Sequence, residues 1–264
     1  MKEPFLLIFF LAIFQFASAQ MEWSLQGNYS RPQGVMGKYI KHAGGLNLQG
    51  MYRLPNTPFS VGAEIGINGY GSQKTHQRYQ FSDGSSTEVD VNVNNSFSSF
   101  MLVGRVNLVQ TGGIIPYIQA KGGYFHYWTN LSIPDPQDTD GCKPLENTSL
   151  LKDGAFAATL GAGVRWDIST VFKKTIPERF WIDLSADYTK GGSVRYMNVN
   201  IPADPDPVNH HHPVTNADGS TPYTARFINT QSQVVHEHHV GNVYQSYIEQ
   251  ITFRLGITLT LQGQ

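Results

Sequence analysis

From Ile251 to Leu261 the chain alternates without a break. Ile251, Phe253, Leu255, Ile257, Leu259 and Leu261 fall on one face of an extended strand, and Thr252, Arg254, Gly256, Thr258 and Thr260 fall on the other. A helix would scatter these residues around its circumference, so the run is a strand with one apolar and one polar surface. The same sorting recurs upstream. Phe59, Val61, Ala63, Ile65 and Ile67 oppose Ser60, Gly62, Glu64, Gly66 and Asn68, and Phe156, Ala158, Leu160, Ala162, Val164 and Trp166 oppose Thr159, Gly161, Gly163, Arg165 and Asp167. Phe180, Ile182, Leu184, Ala186 and Tyr188 likewise oppose Asp183, Ser185, Asp187 and Thr189.

Eight strands are expected, at 21–29, 43–53, 59–71, 100–109, 116–130, 155–168, 180–189 and 247–262. Pro55-Asn56-Thr57-Pro58 and the Gly112-Gly113 pair mark short turns, and a third connection near 169–179 is modest. The remaining connections, about 30–42, 72–99, 131–154 and 190–246, are long and polar. Short connections at one end and long ones at the other predict an all-β fold, an eight-stranded antiparallel transmembrane up-and-down β-barrel with long extracellular loops. Within 72–99, Val89, Val91 and Val93 follow Ser82-Asp83-Gly84-Ser85, a turn signal that predicts a hairpin extending strands three and four. Its phase disagrees with Phe100, Leu102 and Val106, which calls for a bulge near Ser98-Ser99. Strand five carries aromatics on both faces, and Gly122-Gly123 is the expected phase change there.

Lys2, the apolar run from Phe5 to Phe14 and Ala17-Ser18-Ala19 read as a secretory signal over 1–19, cleaved near Ala19-Gln20, leaving a single barrel domain over 20–264. No later stretch approaches the roughly 20 apolar residues of a membrane-spanning helix. With 19 basic and 20 acidic residues there is no electrostatic footprint for nucleic acid. Charged residues are 15% of the chain, well below the soluble average of about 25%, which fits a wall that is largely shielded from water. The single cysteine, Cys142, excludes an intrachain disulfide.

Periodicity alone fits two barrels, a membrane barrel with its polar faces inward and a soluble lipocalin-like barrel with its apolar faces inward. In the membrane case, buried charges must pair to offset desolvation. Heights counted from the short turns then predict three interior pairs: Glu64 with Arg105, Arg165 with Asp183, and Asp187 with Arg254. Eight strands leave room for side chains inside but not for an open channel. Trp23, Tyr29, Tyr52, Tyr70, Trp128, Trp166, Trp181 and Tyr188 lie near strand ends, where interface girdles form.

Taken together, Gly-rich apolar segments such as Leu160-Gly161-Ala162-Gly163-Val164 and the aromatic-containing last strand resemble the small gram-negative outer-membrane barrels of the OmpA/OmpX-like kind. The resemblance covers nearly the whole chain after the signal, and it is one of pattern. It implies a gram-negative outer membrane, lipid as the surrounding partner, and a surface ligand or envelope protein as partner of the loops. One departure is the ending Leu261-Gln262-Gly263-Gln264, where many members end in an aromatic residue.

Chemistry-bearing clusters are few. His210, His211, His212, His236, His238 and His239 concentrate in the last long loop, and imidazoles at that density suit zinc, copper or nickel, without the spacing of a metalloprotease motif. Asp135, Asp138 and Asp140 suggest calcium but miss the helix-loop-helix spacing. His126 and Ser132 at the outer rim of strand five are the candidates for lipid chemistry, and no nucleophile elbow occurs. The expected function is therefore a non-enzymatic membrane barrel with no cofactor and a side-chain-filled interior, its surface loops serving for binding. A lipid-modifying enzyme, a secretion or assembly factor and a soluble ligand-binding barrel are the alternatives.

Overall fold

The computed structural model describes residues 21–80, 86–135, 144–169, 179–199, 223–228, 235–241 and 243–261. The signal segment, Cys142, Asp138, Asp140 and His210 to His212 lie outside them. The barrel strands are β1 (Met21–Pro32), β2 (Ala43–Arg53), β3 (Phe59–Gln80), β4 (Ser86–Asn107), β5 (Ile114–Ile133), β6 (Glu146–Asp167), β7 (Arg179–Met197) and β10 (Val243–Leu261). They close in the order β1-β10-β7-β6-β5-β4-β3-β2, with every neighbouring pair antiparallel. A short helix α1 (Met36–Tyr39) sits between β1 and β2, and β8 (Tyr223–Ile228) with β9 (Val235–Gly241) forms a separate hairpin.

The register sets the geometry. Following paired residues from Glu22 through Met51, Gly62, Val103, Lys121, Thr159, Thr189 and Gln250 returns to β1 at Pro32, ten positions further on. That stagger over eight strands tilts them by roughly 40° and leaves a bore that side chains fill.

The faces decide between the two barrels. The apolar sets point outward, with Phe156 76% exposed and Ile67 67%, while Glu64, Arg105, Arg165, Asp183, Asp187 and Arg254 are all buried inside. The soluble, apolar-inside arrangement is thereby overturned, because its ligand-lining face would be the one that here looks outward. On β7 the outward residues Phe180, Ile182, Leu184, Ala186 and Tyr188 rise roughly 20 Å at this tilt before Lys190 follows, close to the ~25 Å apolar band of a bilayer-spanning barrel. Trp23, Tyr29, Trp166 and Tyr188 stand in that outer surface, whereas Tyr70 and Trp181 turn inward and are buried, contrary to the girdle reading.

Two expected bulges are absent. β4 keeps one phase throughout: Val89, Val91, Val93, Asn95, Phe97, Ser99, Met101, Val103, Arg105 and Asn107 are all buried. The register shift lies instead on the β3 side, between Gly69 and Gly71. β5 passes Gly122-Gly123 in unbroken register, and its irregularity falls at Thr129/Asn130. Both misreadings have one cause, which is that the interior itself changes from polar to apolar toward the long-loop end.

At that end the wall is uneven. β2 and β3 stop pairing at Gly44 and Gly69, and β6 and β7 stop at Ala157 and Gly191. β3 and β4 continue to Gln80 and Ser86, and β5 and β6 to Ile133 and Glu146. Together with the β4–β5 pairing as far as Asn92 and Ser132, this lifts a four-stranded sheet above the barrel.

Candidate functional site: a two-layered interior beneath a protruding sheet

Charged side chains inside the lower barrel form two neutral quartets. The lower one holds Glu22, Arg105, Arg165 and Asp183. Arg165 Nη1 donates to Glu22 Oε2 at 2.7 Å and its Nη2 to Asn107 at 3.0 Å. Arg105 lies 3.8 Å from Glu22 and 4.0 Å from Asp183, with its guanidinium 4.2 Å from the ring centre of Tyr117, whose hydroxyl donates to Asp183 at 2.6 Å. The upper quartet holds Glu64, Lys121, Asp187 and Arg254. Lys121 Nζ reaches Glu64 at 2.7 Å and Asp187 at 3.2 Å, and Arg254 Nη1 reaches the same two carboxylates at 3.0 and 2.8 Å. Amides tie the quartets together: Arg105 donates to Gln49 at 2.7 Å, Gln49 donates to Glu64 at 3.2 Å, and Gln119 donates to Asp187 at 2.8 Å.

Of the three pairs expected from sequence, one is direct: Asp187 with Arg254. Glu64 and Arg105 do not meet, because Arg105 pairs in register with Ser60, four residues below Glu64, and so belongs to the other layer. Arg165 and Asp183 are register partners, yet the Arg165 side chain leaves its neighbour, lies 5.4 Å from the Trp181 ring and crosses to Glu22. Sequence reasoning missed Glu22 and Lys121. Both sit on inward positions that the alternation of their own strands marks, Glu22 with Ser24 and Gln26, Lys121 with Tyr117 and Gln119.

Chemically the two quartets are a plug. Arg105, Arg165 and Glu64 are each 1% exposed and Asp183 is 0%, which leaves no water-filled path around them. Charges this far from water are tolerated because each carboxylate faces at least one cation, and Glu64, Asp183 and Asp187 also accept from neutral donors.

Above the quartets the lining becomes apolar. Tyr70, Phe97, Phe125, Tyr127, Tyr196, Tyr244 and Ile248 form one buried cluster, with Phe97 and Tyr127 stacked at 5.0 Å. The β1–β2 connection closes it: Met36 and Ile40 are buried in the cluster, Tyr39 stacks on Tyr244 at 3.8 Å, and the Asn198 amide donates to the Tyr39 carbonyl. A second apolar cluster, including Val89, Val91, Val93, Leu131, Ile133 and Leu150, backs the protruding sheet.

The other sequence candidates do not assemble among the described residues. Within β9, His236 and His238 occupy alternate positions and His239 an intervening one, opposite Phe227, Ala225 and Thr224 of β8. No group of three metal-ligating side chains occurs among the described residues. His126 and Ser132 lie six residues apart on one strand, roughly 20 Å, too far to act as a dyad. The outer hairpin does carry a charge cluster: Lys74 Nζ lies 2.7 Å from Asp90, His76 contacts the same carboxylate, and the bond from Lys74 holds the Asp90 carboxyl below its usual range.

Neither a protein-family model nor a curated protein matches the chain. Among solved structures, it is similar to neisserial surface protein A, with a TM-score of 0.39 and 7% identity over 92% of this chain and 96% of that one. Ail, the attachment invasion locus protein of Yersinia pestis, gives a TM-score of 0.38 and 13% identity over 92% and 99% of the two chains. A major outer membrane protein from Thermus thermophilus gives 0.36 and 13% over 91% and 99%. What makes this chain a bilayer-spanning barrel is its own set of residues, apolar side chains outside and two sealed quartets of charge within.

Proposed function

We propose that the protein is a non-enzymatic integral barrel of the outer membrane that displays a binding surface outside the cell. The barrel anchors and the protruding sheet does the work. The observation that carries this reading is the sheet itself: among the described residues β3 beyond Gly69 has no β2 ladder partner, and β6 before Ala157 has no β7 ladder partner but only the bonds from Arg195 N and Nε to Asp153 Oδ2 at 2.8 and 3.2 Å, so each edge leaves backbone groups unpaired. Open edges accept an extra strand through main-chain hydrogen bonds. The plugged bore supports binding over transport, since a solute would have to break two buried charge quartets to pass.

The test is a photo-crosslinking amino acid placed singly at Lys74, at Asn147 and, as a control, at Val109 beside a short turn, in intact cells. Discrete protein adducts from Lys74 or Asn147 and none from Val109 are expected. Adducts confined to Val109 would move the interaction to the periplasmic end and refute the reading.

A further inference from the structure

We infer that the outer face of the protruding sheet binds the saccharide headgroup of a glycolipid in the surrounding leaflet, stacked on Trp128 and His126 and hydrogen-bonded by the amides and hydroxyls around them. The face continues the lipid-facing surface upward in the same register. On β5 the outward positions from Ile114 to Tyr124 are apolar and climb roughly 25 Å, and on β6 those from Trp166 to Phe156 climb as far. The last apolar row is Phe100, Tyr124 and Phe156, register partners across β4, β5 and β6.

Above that row the chemistry changes on all three strands at once. The next two outward rows are Ser98 with His126 and Gly154, then Ser96 with Trp128 and Lys152. The two above them are Asn94 with Asn130 and Ser149, then Asn92 with Ser132 and Asn147. Each of these residues is at least partly exposed, whereas alternate positions such as Phe97, Val93 and Leu131 are buried. A row adds about 5 Å of height, so the face stands about 20 Å above the apolar band, beside the layer that glycolipid sugars occupy.

Composition selects a sugar at that height. A phosphate site would gather cations, and Lys152 is the single one in these rows. A protein interface would centre on an apolar patch, which lies here on the buried side of the sheet. Asn and Ser donate and accept together, as sugar hydroxyls do. Aromatic rings supply the apolar surface on which the C–H face of a sugar rests. His126 and Trp128 stack with centroids 5.7 Å apart, and Tyr124 meets Phe156 edge-on at 5.2 Å, so two ring pairs follow one another from the lipid into the headgroup layer. Small neighbours leave the upper pair accessible: Ser96 and Ser98 on β4, and Gly154 on β6, where a Cβ would collide with the Tyr124 hydroxyl.

Saccharide binding rests on the sheet being the outward binding surface, and purified protein without a partner tests it apart from the adducts expected at Lys74 and Asn147. Phosphatidylcholine nanodiscs carrying the protein are doped with rough-type lipopolysaccharide or with the lipid A prepared from it, and retention of each is compared by native mass spectrometry. Wild type should retain the lipopolysaccharide about fivefold over lipid A, the value of one aromatic contact. Trp128→Ala should erase that preference and Trp128→Phe should keep most of it. Tyr247→Ala removes an exposed outward aromatic on β10, away from the sheet, and should leave it unchanged. Each variant must keep the heat-dependent gel shift of a folded barrel. Soluble core oligosaccharide should compete only at a concentration on the order of millimolar, because the membrane holds its own sugars at the sheet at such an effective concentration. Equal retention of the two lipids by wild type, or an undiminished preference in Trp128→Ala, would overturn the proposal. Displacement by micromolar oligosaccharide would overturn it too, by placing the sugar in solution.

Discussion

The two halves of the barrel interior solve the same packing problem with opposite chemistry. Near the short turns the bore is filled by eight charged side chains in two neutral quartets, and near the long strands by a cluster of aromatic and aliphatic ones. The difference teaches what a narrow barrel requires. Once the lipid-facing surface is apolar, the interior need not be: it must be full and its charges paired, even where buried polar atoms such as Arg105 Nε, Ser60 Oγ and Asn107 Nδ2 have no hydrogen-bond partner among the described residues. The lower half does this by pairing, which demands every partner at once. The upper half does it by contact, which tolerates the loss of a polar atom but not of volume.

Single deletions should separate the halves most sharply. Glu64→Ala removes the acceptor shared by Asn47, Gln49, Lys121 and Arg254 and should cost about 3–5 kcal/mol in denaturant unfolding from detergent micelles. Removing Glu64 and Lys121 together, both to Met, leaves Asp187 and Arg254 as a neutral pair and should recover most of that loss. If the double variant is as unstable as the single one, pairing is not what holds the lower half. In the upper half Phe97→Ala should also cost about 3–5 kcal/mol, here as lost volume that no partner change restores.

One chemical change made in both halves gives a finer comparison. Tyr117→Phe breaks a 2.6 Å bond to a buried carboxylate and should cost about 1.5–3 kcal/mol. Tyr127→Phe removes a buried hydroxyl with no partner among the described residues and should leave stability unchanged or slightly raised. Equal costs would erase the distinction between pairing and contact.

The smallest effect lies outside the membrane. Asp90 has a lowered pKa from its bond to Lys74, so its contribution is present above the unfolded carboxylate value and fades as pH falls through the lower, folded one. Amide protection over 74–90, measured against the intrinsic exchange rate at each pH, should therefore fall in that acid window. Asp90→Asn should abolish the pH dependence, and salt should weaken it in wild type.

Much of this was legible in the sequence because alternation is local. The strands and the sorting of their residues onto two faces follow from a period of two, and the filled bore from a count of eight strands; which face looks inward did not follow, because alternation fits either barrel. The partners inside did not follow, because they depend on stagger: a ten-residue offset around the barrel places Arg105 below Glu64 and lets Arg165 cross to Glu22 rather than stay beside Asp183. The bulges expected at Ser98-Ser99 and Gly122-Gly123 arose from assuming that an inward face is polar along its whole length. Phe97, Phe125 and Tyr127 are inward and apolar, so a change in the environment was read as a change in phase. The histidine-rich segment carries no periodicity and placed nothing.

Solvent access to two adjacent residues of β7 tests the central claim most directly. In a Cys142→Ser background, Leu184→Cys and Ser185→Cys are offered a membrane-impermeant maleimide and a lipid-soluble one in liposomes. Leu184 points outward and Ser185 into the plugged bore. The account expects no reaction of either with the impermeant reagent, and reaction of position 184 alone with the lipid-soluble one. Aqueous labelling at 185 would mean an open, water-filled channel, and aqueous labelling at 184 would mean that the apolar face does not lie in a bilayer.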